Sequence, residues 1–167
     1  MKGIKAIALV IVAAPSIGYA DTEQTKQIRA CYFSGTSIEA KYACMGSSVT
    51  ACSKNNGASI VDCANAETNI WKSLMDEETA YIESILRDER IISGPCLGND
   101  AGCLQGLQNL LSDGASDADF KCVEEAGPKH NAGFPEMAMA LCMMRETARN
   151  TIRVHSFGAG MGQYSPK

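Results

Sequence analysis

The sequence predicts an all-α domain that is small, stapled by disulfide bonds and organised on one long helix. Apolar residues recur at helical spacing over two long segments, about 58–92 and about 134–154, so each helix has an apolar face to bury against the other. No segment of any length shows the polar–apolar alternation that is typical of a half-buried strand. Eight cysteines follow the first 30 residues, and an even number in an exported chain is typical of a disulfide framework.

Residues 1–20 are predicted to be a secretory signal peptide that is removed from the mature protein. The segment MKGIKAIALVIVAAPSIGYA places two lysines before an apolar core and ends in small residues, which is the order of regions in such peptides. The alternative is a membrane anchor, but the apolar run is shorter than the ~20 residues that span a bilayer. We therefore expect cleavage after Ala20 and a soluble, periplasmic protein with no membrane span.

The mature chain is acidic. Without Lys2 and Lys5 it has 13 basic and 19 acidic residues, a net charge of −6. Nucleic acids and anionic membranes bind basic patches, so this charge disfavours both as partners, whereas it suits a basic partner or nothing more than solubility. The remaining length is enough for one modest core. We expect one domain over residues 21–155 and a flexible tail over residues 156–167.

The eight cysteines are expected to form four disulfide bonds. Eight cysteines allow ~105 pairings, and the lower entropy cost of closing short loops favours neighbours along the chain. We therefore predict the pairs Cys31–Cys44, Cys52–Cys63, Cys96–Cys103 and Cys122–Cys142. Zinc is the competing interpretation, but the sequence has no Cys-x-x-Cys pair, and His130 and His155 lack ligand-like spacing to any pair of cysteines. We therefore expect no metal site.

The chain before the long helix is predicted to contain two short helices. Residues 21–33 form the first, with Thr22 as its N-cap, and residues 37–45 form the second after a Ser-Gly-Thr break. A bond between Cys31 and Cys44 would join the two as a hairpin. Residues 46–57 are small and polar, and they are predicted to be a loop.

The long helix carries the only tryptophan, Trp71, and two glutamates on its apolar face. A buried carboxylate is costly unless it is paired, so we expect Glu67 to form a structural ion pair with Arg145 of the last helix. The alternative is a functional carboxylate in a cleft, which would need a second polarised group nearby. Glu78 lies nearer an acidic run and is expected to face water.

Several elements are predicted after a Ser-Gly-Pro break that ends the long helix. Residues 96–103 form a Gly-rich loop closed by its own disulfide bond, and residues 104–111 form a short apolar helix. Residues 112–119 are an acidic loop that leads to a short segment over residues 120–125. Pro135 suits the first turn of the final helix.

The positions of the cysteines, one glutamate and the tryptophan resemble those of the lysozyme inhibitor LprI-like N-terminal domain family. The matching pieces are the run Ala43-Cys44-Met45-Gly46, then Cys52, the spacing Cys63-x-x-x-Glu67-x-x-x-Trp71, and near the end Cys122 and the run that begins at Cys142. The resemblance spans residues 31–152, and Cys96 and Cys103 look like additions to it. It implies an exported, disulfide-bonded, all-helical bacterial domain, with lysozyme inhibition as the activity.

No arrangement of residues indicates catalysis, so we expect a binding protein and not an enzyme, with no cofactor. The serines lack a strand–turn–helix setting, and the cysteines are better used in disulfide bonds. Thioether groups that suit Cu(I) come from Met137, Met139, Met143 and Met144 near His155, but methionines at helical spacing far more often pack in a core. Two functional hypotheses remain: inhibition of a basic lysozyme, and a structural or envelope-stress role without inhibition.

Overall fold

The computed structural model describes residues 23–56, 58–87, 94–127 and 134–161. Six helices and no strand lie in these ranges: α1 Glu23–Ser34, α2 Ile38–Tyr42, α3 Ser47–Asn56, α4 Ile60–Arg87, α5 Asp100–Ala126 and α6 Pro135–Gly160. The all-α prediction is therefore confirmed. The predicted signal peptide and its cleavage site lie outside the described residues. Within those residues no helix has both the length and the apolar character that crossing a membrane requires.

The three long helices α4, α5 and α6 form the body of the fold. α4 and α6 run in the same direction, since Trp71 meets Thr151 and, further along both helices, Glu78 meets His155. α5 lies between them in the chain, and it packs against α6 and, less extensively, against α4. The predicted packing of the long helix against the C-terminal helix is confirmed.

One face of α4 is buried along the whole helix, through residues that repeat every three or four positions. This spacing follows the 3.6-residue helical turn. The first half of α4 packs around Trp71 with α1, with α3 and with α6 between Ala140 and Ile152. The second half packs around Leu86 with the first turns of α5 and the end of α6. Both glutamates of the predicted apolar face, Glu67 and Glu78, lie on this buried side.

Four disulfide bonds fasten the short helices and the loops to this body. The pairs are Cys31–Cys44, Cys52–Cys63, Cys96–Cys103 and Cys122–Cys142, the same pairs that short loop closure favours. The first joins α1 to the turn after α2, the second joins α3 to α4, the third closes the loop before α5 onto its first turn, and the fourth joins α5 to α6. Such cross-links limit the freedom of the unfolded chain, which stabilises the folded one.

The segment predicted as a loop, residues 46–57, contains the helix α3 instead. Its serines and asparagines are weak helix formers, which is why the sequence indicates a loop. Tertiary contacts override that tendency, since Ser48 and Val49 are buried and Cys52 is bonded to α4. Gly46 stays outside the helix, in a turn with a φ of 74°.

One continuous helix, α5, replaces the short helix, acidic loop and short segment predicted over residues 104–125. Gly114 stands in the middle of the predicted loop, but its role is close packing. A Cβ atom at Gly114 would lie 2.8 Å from the side chain of Asn150 on α6. The Asn150 amide donates a hydrogen bond of 2.7 Å to the Gly114 carbonyl. The glycine therefore lets α5 and α6 approach and does not interrupt the helix.

α6 extends past the predicted start of the flexible tail. The prediction ended this helix near residue 154, whereas α6 continues to Gly160. Phe157 and Met161 pack in the same cluster as Leu86 and Leu107, and this packing stabilises the additional turns. The rest of the predicted tail, beyond residue 161, lies outside the described residues.

Candidate functional site

Glu67 and Trp71 lie at the centre of the fold as one hydrogen-bonded unit. Glu67 is 0% exposed. Its Oε1 accepts hydrogen bonds from the Gly46 backbone N–H over 2.7 Å and from the Trp71 indole N–H over 3.0 Å. Its Oε2 accepts one from the Ser48 hydroxyl over 2.6 Å. Three neutral donors therefore satisfy the buried carboxylate.

The predicted ion pair between Glu67 and Arg145 is wrong. Arg145 pairs with Glu125 of α5, and both of these side chains are partly exposed. The neighbouring residue on α6, Met144, occupies the core side, and successive residues of a helix are rotated by about 100° from one another. Arg145 therefore lies off the core face. The Gly46 N–H, the Ser48 hydroxyl and the Trp71 indole take the place of the predicted arginine as donors to Glu67.

Glu78 is also buried, and the expectation that it faces water is wrong. It is 5% exposed. Its Oε1 accepts a hydrogen bond from the Tyr32 hydroxyl over 3.0 Å and lies 3.1 Å from Nδ1 of His155. Glu78 follows Glu67 by about three helical turns, so the two side chains share one face of α4. That register is the sequence signal that could have indicated its burial.

A third ionisable side chain, Lys41, is buried beside Glu78 and Tyr32. Its Nζ donates a hydrogen bond of 2.7 Å to the Tyr32 backbone carbonyl and lies 4.3 Å from the centroid of the Tyr32 ring. Burial lowers the pKa of Lys41, against the opposing effect of the Glu78 charge. Burial also raises the pKa of the Tyr32 hydroxyl, as do the charge of Glu78 and the hydrogen bond to it. No sequence pattern indicates Lys41, because α2 is only five residues long.

The surroundings of Glu67 fit the structural interpretation of that carboxylate, because its neighbours are its hydrogen-bond partners and it is closed to solvent. Among the described residues, no group of three or more His, Cys, Asp or Glu side chains could hold a metal ion. The copper hypothesis needs His155 near the methionines. His155 contacts Glu78 instead, whereas Met139 and Met143 lie three or more turns earlier on α6.

An open groove lies where the start of α4, the end of α5 and the start of α6 meet. We call it the α5–α6 groove; its volume is about 550 Å³, and its apolar lining includes Val61, Val123, Met139 and Met143. The three most exposed large apolar side chains of the described residues belong to the same end of these helices: Phe120 at 73%, Phe134 at 70% and Val123 at 63%. Sequence reasoning missed this surface, because it assigned the methionines of α6 to the core.

No family model, curated protein or solved structure matches this chain. The resemblance to the LprI-like family therefore stays a prediction. In the fold, three of the residues on which it rests, Gly46, Glu67 and Trp71, are neighbours in space. Gly46 and Trp71 both donate hydrogen bonds to Glu67, and the cysteines on either side, Cys44 and Cys63, are each fixed by a disulfide bond.

Proposed function

We propose that the mature chain is an exported, periplasmic protein-binding module that inhibits a basic cell-wall hydrolase such as lysozyme. The observation that carries this proposal is the contact of Gly46, Glu67 and Trp71 in one hydrogen-bonded unit. Gly46 comes from one piece of the resemblance, and Glu67 and Trp71 come from another. A pattern whose residues meet in space supports a shared fold more strongly than spacing alone does, and inhibition is the activity that the LprI-like resemblance implies.

The disulfide bonds support the exported part of the proposal. All eight cysteines are paired. Disulfide bonds persist in the periplasm and outside the cell, whereas the cytosol keeps thiols reduced. Cell-wall hydrolases act in the same compartments, so the module and its target would meet there.

The charge of the mature chain supports a basic target. With a net charge of −6, the module attracts a basic hydrolase over several ångströms and speeds their encounter, an effect that salt screens. The module acts by occupying the surface of the hydrolase and excluding its polymeric substrate. This mechanism requires no cofactor and no catalytic residue of the module.

A turbidity assay tests the proposal directly. Purified mature protein, from residue 21 onward, is added to lysozyme and a suspension of bacterial cell walls at low and at high ionic strength. We expect lysis to slow in proportion to the module added, and to slow more at low ionic strength. An unrelated acidic protein of equal net charge serves as the control and should leave the rate unchanged.

Two results would count against inhibition. Unchanged lysis at a molar excess of the module would exclude inhibition of that lysozyme and favour the structural or envelope-stress role. Equal slowing by the acidic control protein would show that charge alone, and not a specific surface, explains the effect.

A further inference from the structure

We propose that the α5–α6 groove is the docking surface for the partner, and that it takes an apolar side chain flanked by lysine or arginine on a basic protein. This inference rests on the proposed function and adds to it the surface that makes contact. It depends on three features of the groove: its exposed apolar residues, the carboxylates around it, and the disulfide bonds that brace it.

Exposed apolar residues adjoin the groove along the chain as well as lining it. Val123 lines the groove, Phe120 lies on the same face of α5 one turn earlier, and Phe134 directly precedes the groove residue Pro135. Contiguous apolar patches on a soluble protein mark interaction sites. Met139 and Met143 are half-buried in the wall, and methionine side chains adapt their shape to a partner.

Each of the three helices places an exposed carboxylate directly after an apolar residue of the groove. Asp62 follows Val61 on α4, Glu124 follows Val123 on α5, and Glu136 follows Pro135 on α6. None of these three acidic side chains forms an ion pair with another described residue.

Two basic side chains of this region, among the described residues, are paired with carboxylates. Arg145 pairs with Glu125, and Lys121 pairs with Glu146. Within the described residues, Glu136 lines the groove, and Asp62 and Glu124 adjoin residues that line it. An apolar centre beside carboxylates matches an apolar anchor bordered by cations.

Disulfide bonds hold the groove in shape before a partner arrives. Val123 and Met143 are the residues directly after Cys122 and Cys142, which are bonded to each other. Val61 lies two residues before Cys63, which is bonded to α3. A surface that is rigid in the free protein loses less entropy on binding, which favours affinity.

The same charges argue against the other occupants of an apolar groove. A second copy of the chain would bring one acidic border against another, and like charges across an interface are repulsive. Phosphate groups of a membrane or a nucleic acid would meet the same repulsion. A basic protein is the partner class that both the apolar centre and the charged border favour.

The test measures the affinity of mature-protein variants for lysozyme at low and at high ionic strength. Val123→Lys replaces an apolar side chain of the groove by a positive charge and is expected to weaken binding about tenfold or more. Its matched control is Leu97→Lys, because Leu97 is 60% exposed and Val123 is 63% exposed. Leu97 precedes the start of α5, whereas Val123 lies near its end. We expect the control to bind within about twofold of the wild type.

A second pair of variants tests the charged border. Glu124→Lys combined with Glu136→Lys should weaken binding about tenfold at low ionic strength and reduce the dependence on salt. The control combines Glu39→Lys with Asp113→Lys, which changes the net charge equally at exposed positions outside the groove, and it should weaken binding less than about threefold. Circular dichroism and melting temperature confirm that each variant is folded.

The outcomes separate this inference from the proposed function. If the wild type binds lysozyme and the groove variants bind as well as their controls, the docking surface is wrong while inhibition stands. If the wild type does not bind lysozyme, inhibition of that enzyme fails, and a labelled peptide of alternating leucine and lysine becomes the probe. Peptide binding that Val123→Lys abolishes and Leu97→Lys retains supports the groove, and no peptide binding overturns it. A wild-type dimer that Val123→Lys dissociates also overturns it.

Discussion

Glu67 and Glu78 lie on the same face of α4, both nearly closed to solvent, but different kinds of groups surround them. Glu67 accepts hydrogen bonds from a backbone N–H, a hydroxyl and an indole, all of them neutral. Glu78 contacts a phenol and an imidazole, with the buried Lys41 close by. A carboxylate in a core therefore does not require an opposite charge, since well-placed dipoles also satisfy it.

The two environments also differ in how the chain builds them. The donors to Glu67 come from its own helix, from the first turn of α3 and from the turn before α3, where Gly46 has a positive φ. The groups around Glu78 come from α1, α2 and α6. The donors to Glu67 lie within 21 residues of it along the chain, whereas the Tyr32 and His155 contacts of Glu78 span 46 and 77 residues.

The largest effect is expected from Glu67→Ala. The substitution leaves a cavity and deprives the Gly46 N–H, the Ser48 hydroxyl and the Trp71 indole N–H of their acceptor in a site without water access. We expect the free energy of unfolding to fall by about 3–5 kcal/mol. Urea denaturation followed by Trp71 fluorescence measures it, because this is the only tryptophan of the chain.

Glu67→Gln is the matched variant for this prediction. Its amide oxygen keeps both N–H donors, and its amide nitrogen faces the Ser48 hydroxyl, which can accept a hydrogen bond. The loss should be limited to about 1 kcal/mol, the difference between a charge-assisted and a neutral acceptor. A loss below about 1 kcal/mol for Glu67→Ala would contradict the structural role of Glu67.

A smaller effect is expected from Glu78→Ala, about 1–3 kcal/mol. It removes the acceptor of the Tyr32 hydroxyl and one partner of His155, which is two contacts where Glu67→Ala removes three. Tyr32→Phe removes the same hydrogen bond. The double variant should therefore lose less free energy of unfolding than the two single variants lose together, by at least about 0.5 kcal/mol. Strict additivity would contradict the bond between Tyr32 and Glu78.

The contrast between the two sites also explains how much could be predicted from the sequence. The long helices follow from periodicity, and the disulfide pairs follow from short loop closure; both are properties of neighbouring residues. The partners of Glu78 come from positions 32, 41 and 155, and no local pattern connects them. The continuous α5 was missed for a similar reason, because Gly114 is explained only by Asn150 on another helix.

The smallest effect at neutral pH, and the one most specific to the Glu78 site, is expected from Tyr32→Phe. The pKa of the Tyr32 hydroxyl is raised in the folded state, whereas in the unfolded chain it ionises near its usual value of about 10. The contribution of Tyr32 to stability is therefore complete below that pH and is lost as the pH rises above it. We expect the wild type to lose up to about 1.4 kcal/mol per pH unit from this group, and Tyr32→Phe to lack that loss.

The comparison of alkaline profiles distinguishes the two carboxylates most directly. Lys41 changes the stability in the opposite direction. Because its pKa is lowered in the folded state, the free-energy cost of burying it falls as the pH rises toward about 10.4. Urea midpoints are therefore measured for all variants over the same pH series. Tyr42→Phe is the control, since Tyr42 is half-buried against the same core, and it should keep the wild-type profile. Glu67→Gln should also keep it, whereas Glu78→Gln should lessen the alkaline loss, because the Glu78 charge contributes to the raised pKa of Tyr32. Identical profiles for the two glutamine variants would contradict the assignment of Glu67 and Glu78 to different environments.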